Sequence, residues 1–152
     1  MYLKYSLLLI FVGLFFLKQP SVDLANTTDP LLDELINAYK TAHKQKSLED
    51  VLALYYWNGV DERIKNSVSK NHKRYLDYKI VKVKVAKAPL QEYKPFTLDG
   101  VRYRTNLEVT KVLKVSFENT MVISEVTIPI GIKDGKYYFV TARPDYNIAP
   151  KR

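Results

Sequence analysis

The chain has 152 residues, a formal net charge of +8 and a pI near 9.5, which is the length of one ordinary domain. A hydrophobic content of 47% and an aromatic content of 12% are enough for a packed core and argue against disorder. Cysteine is absent, which excludes disulfides, thiolate metal sites and a lipidated N-terminal cysteine.

Residues 1–18 carry Lys4 and then an unbroken apolar run over 7–17, ended by Lys18. The run is too short for a membrane span of ~20 residues but suits the hydrophobic region of a secretory signal. Residues 19–25 contain no clean small-x-small cleavage site, so two outcomes stay open: a cleaved signal peptide or a retained short anchor. Either predicts export, to the periplasm or the cell envelope. Residues 19–28 read as a linker.

Asp29 and Pro30 then form a helix start, Asp as N-cap and Pro at the first helical position. Leu32, Leu35, Ile36, Tyr39, Ala42 and His43 follow at helical spacing, so the first helix is predicted to run to about Lys44. Ser47 with Asp50 resembles a capping box. The next run, 51–57, is apolar all round and predicts a short helix buried on most sides and ended by Asn58 and Gly59. Asp61 caps a third helix, with Ile64, Val68, Asn71 or His72, Tyr75 and Leu76 on its inner stripe.

Strands come next. Residues 78–88 alternate, with Val81, Val83 and Val85 on one side, Lys82 and Lys84 on the other, and Pro89 as the stop. Asp99 and Gly100 signal a hairpin that pairs Phe96 with Tyr103 and Leu98 with Val101. Pro95 makes 93–98 a short edge strand. Residues 101–117 alternate without interruption: Tyr103, Leu107, Val109, Lys111, Leu113, Val115 and Phe117 share one face. At ~3.3 Å per residue that run would reach ~56 Å, so it must bend or break once. Val122, Val126, Ile128, Ile130 and Ile132 form the next apolar face. Asp134 and Gly135 then set a register of Lys133 with Lys136, Gly131 with Tyr138 and Pro129 with Val140, a rung where proline cannot donate. The domain is predicted over 29–143, with an irregular tail over 144–152.

Basic residues concentrate between Arg63 and Lys94, where only Asp77 and Glu92 oppose them. Such a belt can steer anionic partners, an anionic membrane surface or an acidic envelope protein among them; as a solvated helix face beside a lysine-guarded sheet edge it needs no partner. Export disfavours nucleic acid.

Three helices followed by a meander of long antiparallel strands resemble the NTF2-like superfamily, with a cystatin-like helix-plus-sheet arrangement as the nearest competitor. The resemblance covers about residues 29–142 and implies an α+β fold in which a curved sheet forms a cone around the helices, with a pocket between. The family places a short strand pair before its third helix, and none is read here. The segment Tyr55, Tyr56, Trp57, Asn58, Gly59, Val60 also resembles one in exported bacterial proteins without an assigned activity.

Catalytic signatures are missing. His43 and His72 stand in no metal-binding spacing, and the inward strand faces carry no Asp, Glu or His. No catalytic residue, metal or cofactor is expected. The reading that remains is a non-enzymatic domain whose helix–sheet cavity takes a small, mostly apolar or anionic ligand or a peptide. Tyr103, Leu107, Val109, Leu113, Tyr39, Tyr55, Trp57 and His72 would line it, and Lys111 would stand at its mouth. Two alternatives are an interaction module working through its sheet face or basic belt, and an enzyme built on His72.

Overall fold

The computed structural model describes residues 29–89, 93–118 and 123–146. The apolar run 7–17, the linker, Val122 and the end of the tail lie outside them. Each helix opens on a capping side chain. Asp29 accepts from the Leu32 N–H at the start of α1 (Pro30–Lys44), Ser47 from Asp50 at α2 (Leu48–Ala53), and Asp61 from Ile64 at α3 (Glu62–Tyr75). Strands follow as β1 (Ile80–Lys87), β2 (Phe96–Leu98), β3 (Val101–Thr105), β4 (Lys111–Phe117), β5 (Glu125–Lys133), β6 (Lys136–Phe139) and β7 (Ala142–Pro144).

The result is an α+β fold with antiparallel sheets that do not close. In place of one curved sheet the described residues form two, ordered β1-β4-β5-β6 and β2-β3-β7. The long run breaks over residues 106–110, and that break separates the sheets. Both hairpins form in the expected registers, with Asp99 and Asp134 at φ 48° and 50° and each following glycine at 76°. Pro129 behaves as its chemistry requires: its carbonyl accepts from the Val140 N–H at 2.8 Å, nothing is returned, and the ladder ends at Ile130 and Phe139.

Three expectations need correction. The apolar run 51–57 is helical only to Ala53. Tyr55 then bridges Phe139 in parallel, with the Phe139 N–H on Leu54 O at 2.9 Å and the Tyr56 N–H on Phe139 O at 3.0 Å. A run apolar on all sides satisfies a buried extended segment as well as a helix, and the open edge of β6 decides. Gly59 (φ 72°) therefore turns the chain into α3; it does not end α2. Val81 is the second: Ile80 pairs with Phe117 and Lys82 with Ser116, so Val81 is the extra residue of a bulge and points to solvent at 56% exposure. The third is the tail, where Ala142 to Pro144 pair with β3 as its second neighbour.

A packed apolar layer lies between α1 and the first sheet. Leu35, Ile36 and Tyr39 of α1 meet Leu113, Val115, Ile128, Ile130 and Phe139, with Leu113, Val115, Ile130 and Phe139 at 0% exposure. At ~1.5–3 kcal/mol per large apolar side chain, this layer holds the fold. A smaller cluster of Val60, Ile64 and Tyr103 fastens the second sheet to α3, and Phe96 stacks on Tyr103. Asn106, at the break, is buried and ties three segments: its N–H donates to Thr141 O, its Oδ1 accepts from the Thr141 N–H, and its Nδ2 donates to Tyr56 O. Among the described residues no helix is long and apolar enough to cross a membrane.

Candidate functional site

Helical spacing on α3 turns Val68, His72 and Tyr75 inward. His72 meets Tyr55, whose position is fixed by the bridge to Phe139. The Tyr55 hydroxyl and His72 Nε2 share a buried hydrogen bond of 2.7 Å. With the hydroxyl donating, the imidazole carries its proton on Nδ1. Rings close around the pair: Tyr55 stands edge-on to Phe139 at 5.3 Å and stacks on Trp57 at 5.2 Å, while Tyr75 meets His72 edge-on. Burial, reinforced by His43, pushes the His72 pKa down to about 4, and burial pushes Tyr39 and Tyr55 up. At neutral pH all three are uncharged. Such a pair donates and accepts hydrogen bonds but moves protons poorly, since a base this weak holds little driving force.

Beside this pair lies an unfilled strand edge. Residues of β5 alternate between facing β4 and facing β6. Gly131 pairs with Tyr138, and Pro129 O is bonded to Val140, so Thr127 also presents its N–H and C=O on the β6 side. β6 is too short to reach it. The chain has left for β7 by Ala142, and α3 stands off across the gap. A hollow of about 140 Å³ results, lined by Tyr55, Val68, Asn71, His72, Tyr75 and residues 126–129.

A second hollow, of about 380 Å³, sits at the C-terminal end of α1, between Lys40, His43, Lys44 and Lys46 on one side and residues 76–80 on the other. His43 donates from its ring Nε2 to Tyr75 O at 3.1 Å. Asp77 and Glu118 answer Lys46 and Lys79 at 3.7 and 2.8 Å, leaving Lys40 and Lys44 to give the hollow its positive character.

The residues expected to line one cavity are distributed over four places. Tyr39, Tyr55 and His72 come together, with Trp57 beside them donating its indole N–H to Leu52 O at 2.8 Å. Leu113 is core beneath the helices. Tyr103 belongs to the second sheet and donates to Asp61 Oδ2 at 2.7 Å. Leu107 and Val109 lie in the break, which crosses the face of the first sheet away from the helices: a Cβ on Gly131 would stand 3.0 Å from Leu107 Cβ. A ligand body resting on Leu107 and Leu113 together is thus ruled out by the sheet between them. Lys111 keeps to the helix side, since the register from Lys111 with Ile130 to Val115 with Val126 runs without a bulge. It is half-buried at the rim, near enough to Asp29 to help hold that carboxyl below its usual range. Thr127 was missed, and Asn71 was read only as the alternative to His72 on the inner stripe of the third helix. The signal for Thr127 was the unequal length of the hairpin arms, since the apolar face from Val126 has no counterpart beyond Val140.

Among the described residues no group of His, Asp or Glu could hold a metal ion. No protein-family model matches the sequence, and no curated protein matches it.

Proposed function

We propose that this chain is an exported, non-enzymatic binding module that takes an extended peptide strand along the open edge of β5, one side chain entering the hollow beneath α3. The carrying observation is that Asn71, Thr127 and the hydrogen-bonded Tyr55–His72 pair line one hollow beside the strand edge that β6 leaves uncovered. Addition of a strand to an exposed sheet edge supplies main-chain hydrogen bonds, and a flanking pocket selects one residue in two. Size favours a peptide over a small molecule: small-ligand pockets span ~300–1,000 Å³, whereas about 140 Å³ accommodates a side chain. Exposed Lys70, Lys73 and Arg74 on α3 favour acidic residues in the guest. Helices preceding strands support an open member of the NTF2-like superfamily, and the apolar run over 7–17 supports delivery to the envelope.

The test is Thr127→Pro. The Thr127 N–H points away from β4, so proline there removes an edge donor while sparing the existing ladder. Extended acidic hexapeptides with alternating apolar residues should shift the amide resonances of Thr127 and Asn71, and Thr127→Pro should abolish the Asn71 shift with the fold intact. Peptide binding unchanged in that variant, or shifts confined to other surfaces, would overturn the reading. A second reading, an anionic surface docking on the basic hollow at the end of α1, draws on Lys40 and Lys44 and would show as shifts there instead.

A further inference from the structure

The exposed side of the second sheet carries an arrangement that the peptide edge does not use. Alternation along β3 puts Arg102 and Arg104 on one face, and the register of β7 sets Arg143 directly opposite Arg104. Like charges facing each other across a strand pair repel, so such a rung needs a counter-charge. Asp145 is the carboxylate at hand. It lies one rung on, its N–H donating to Arg102 O at 2.8 Å, and its side chain is only 10% exposed. Its oxygens stand 3.8 Å from Arg102 Nε and 3.5 Å from Arg104 Nε. One carboxylate shared between two guanidinium groups leaves Arg143 without an acidic partner among the described residues. The Nε atoms of Arg104 and Arg143 are both buried and lack a hydrogen-bond acceptor. Gly59 contributes by omission: a Cβ there would stand 3.3 Å from Arg143 Cδ, so the missing side chain lets the arginine lie across the turn.

We infer that Arg102, Arg104 and Arg143 form a binding site for a tetrahedral oxyanion of the phosphate class. Guanidinium forks offer paired N–H donors in the spacing of phosphate oxygens, and a dianion would neutralise the charge that Asp145 leaves uncompensated. The Arg102 and Arg104 side chains are 48% and 41% exposed, so the ligand can reach them. Asp145 competes for the same donors, which makes its removal informative.

Titrating the protein with inorganic phosphate and pyrophosphate, at constant ionic strength against chloride, should move the guanidinium Nη–H resonances of Arg102, Arg104 and Arg143. Arg143→Gln should weaken binding about tenfold, and Asp145→Asn should tighten it. Lys40→Gln with Lys44→Gln, in the separate basic hollow, should leave it unchanged. Vesicles of phosphatidylcholine with and without phosphatidic acid distinguish a lipid phosphate from a soluble one: saturation by pyrophosphate alone assigns a soluble ligand, and association only with phosphatidic acid vesicles assigns a headgroup. Either supports the site. Equal shifts with chloride, or undiminished binding by Arg143→Gln, would overturn it. Arg143→Gln relieves a repulsion, so loss of the fold is not expected to obscure the result.

Discussion

Two helices are tied to the sheets by the same kind of pair, an aspartate and a tyrosine. Asp29 and Asp61 each cap a helix with one carboxylate oxygen and accept a tyrosine hydroxyl with the other, Tyr137 at 2.6 Å and Tyr103 at 2.7 Å. The hydroxyl of Tyr137 holds Asp29 down, and at Asp61 the Ile64 N–H is the main cause. Both folded pKa values lie below the ordinary 3.8, so this stabilisation is present above that pH and fades as pH falls further. His72 acts in a different window. Its pKa is lowered from 6.5 to about 4, so the stability due to its neutral burial is complete above 6.5 and is lost as pH falls towards 4. At ~1.4 kcal/mol per pKa unit the loss is about 3 kcal/mol. Burial lowers His43 too, adding in the same direction. Urea denaturation at a series of pH values should show the wild type weakening steadily between pH 6.5 and 4. His72→Gln, which can still partner the Tyr55 hydroxyl, should remove most of that slope. Identical slopes would mean that His72 is already charged or already wet in the folded state.

At the scale of elements, local chemistry and long-range packing divided what could be read from the sequence. Caps and hairpins were legible because Asp, Ser and Asp-Gly act on their own neighbours. The limit on strand length announced a break in 101–117, but its place depends on contacts remote in sequence. Asn106 is buried because Thr141 and Tyr56 need its amide, and nothing local says so. β7 was illegible for a similar reason: three residues beside Pro144 become a strand only because β3 has a free edge. Of the candidate site, His72 was visible by periodicity, Tyr55 only as one aromatic in an apolar run, and Thr127 not at all. Gly131 makes the packing at the break testable. Its φ is not positive, so its backbone would accept alanine, but a Cβ would stand 2.6 Å from Glu108 O and 2.9 Å from Val140 Cγ2. The first neighbour is backbone and cannot rotate aside. Gly131→Ala should cost about 2 kcal/mol by overpacking, seen as a lower urea midpoint at unchanged slope. Gly100→Ala meets open space and only a positive φ, and should cost about 1 kcal/mol. The reverse order would show that the segment 106–110 yields.

The described residues form two sheets sharing one set of helices, which raises the question of whether they unfold together. Trp57 and Val68 pack against both clusters, the large one under the first sheet and the small one of Val60, Ile64 and Tyr103. Asn106 adds hydrogen bonds across the same seam, but the apolar contact runs through the indole. Trp57 was also a candidate ligand residue, and the two roles predict different things. A Trp57 that served only a ligand could be cut back with little effect on the free protein. As a seam, its removal should act unequally. The first sheet keeps its own buried layer, whereas the second retains the small cluster, its strand pairing, Val68 and the Asn106 hydrogen bonds. Trp57→Ala should cost about 2 kcal/mol overall, below the ~3–5 typical of a fully buried aromatic because Trp57 is only partly buried. The loss should concentrate in the second sheet. Amide exchange in β2, β3 and β7 should accelerate to the rates of local opening while β4 and β5 stay protected to near the global limit. Equal loss of protection in both sheets would show that the chain unfolds as one unit and that Asn106, not Trp57, carries the coupling.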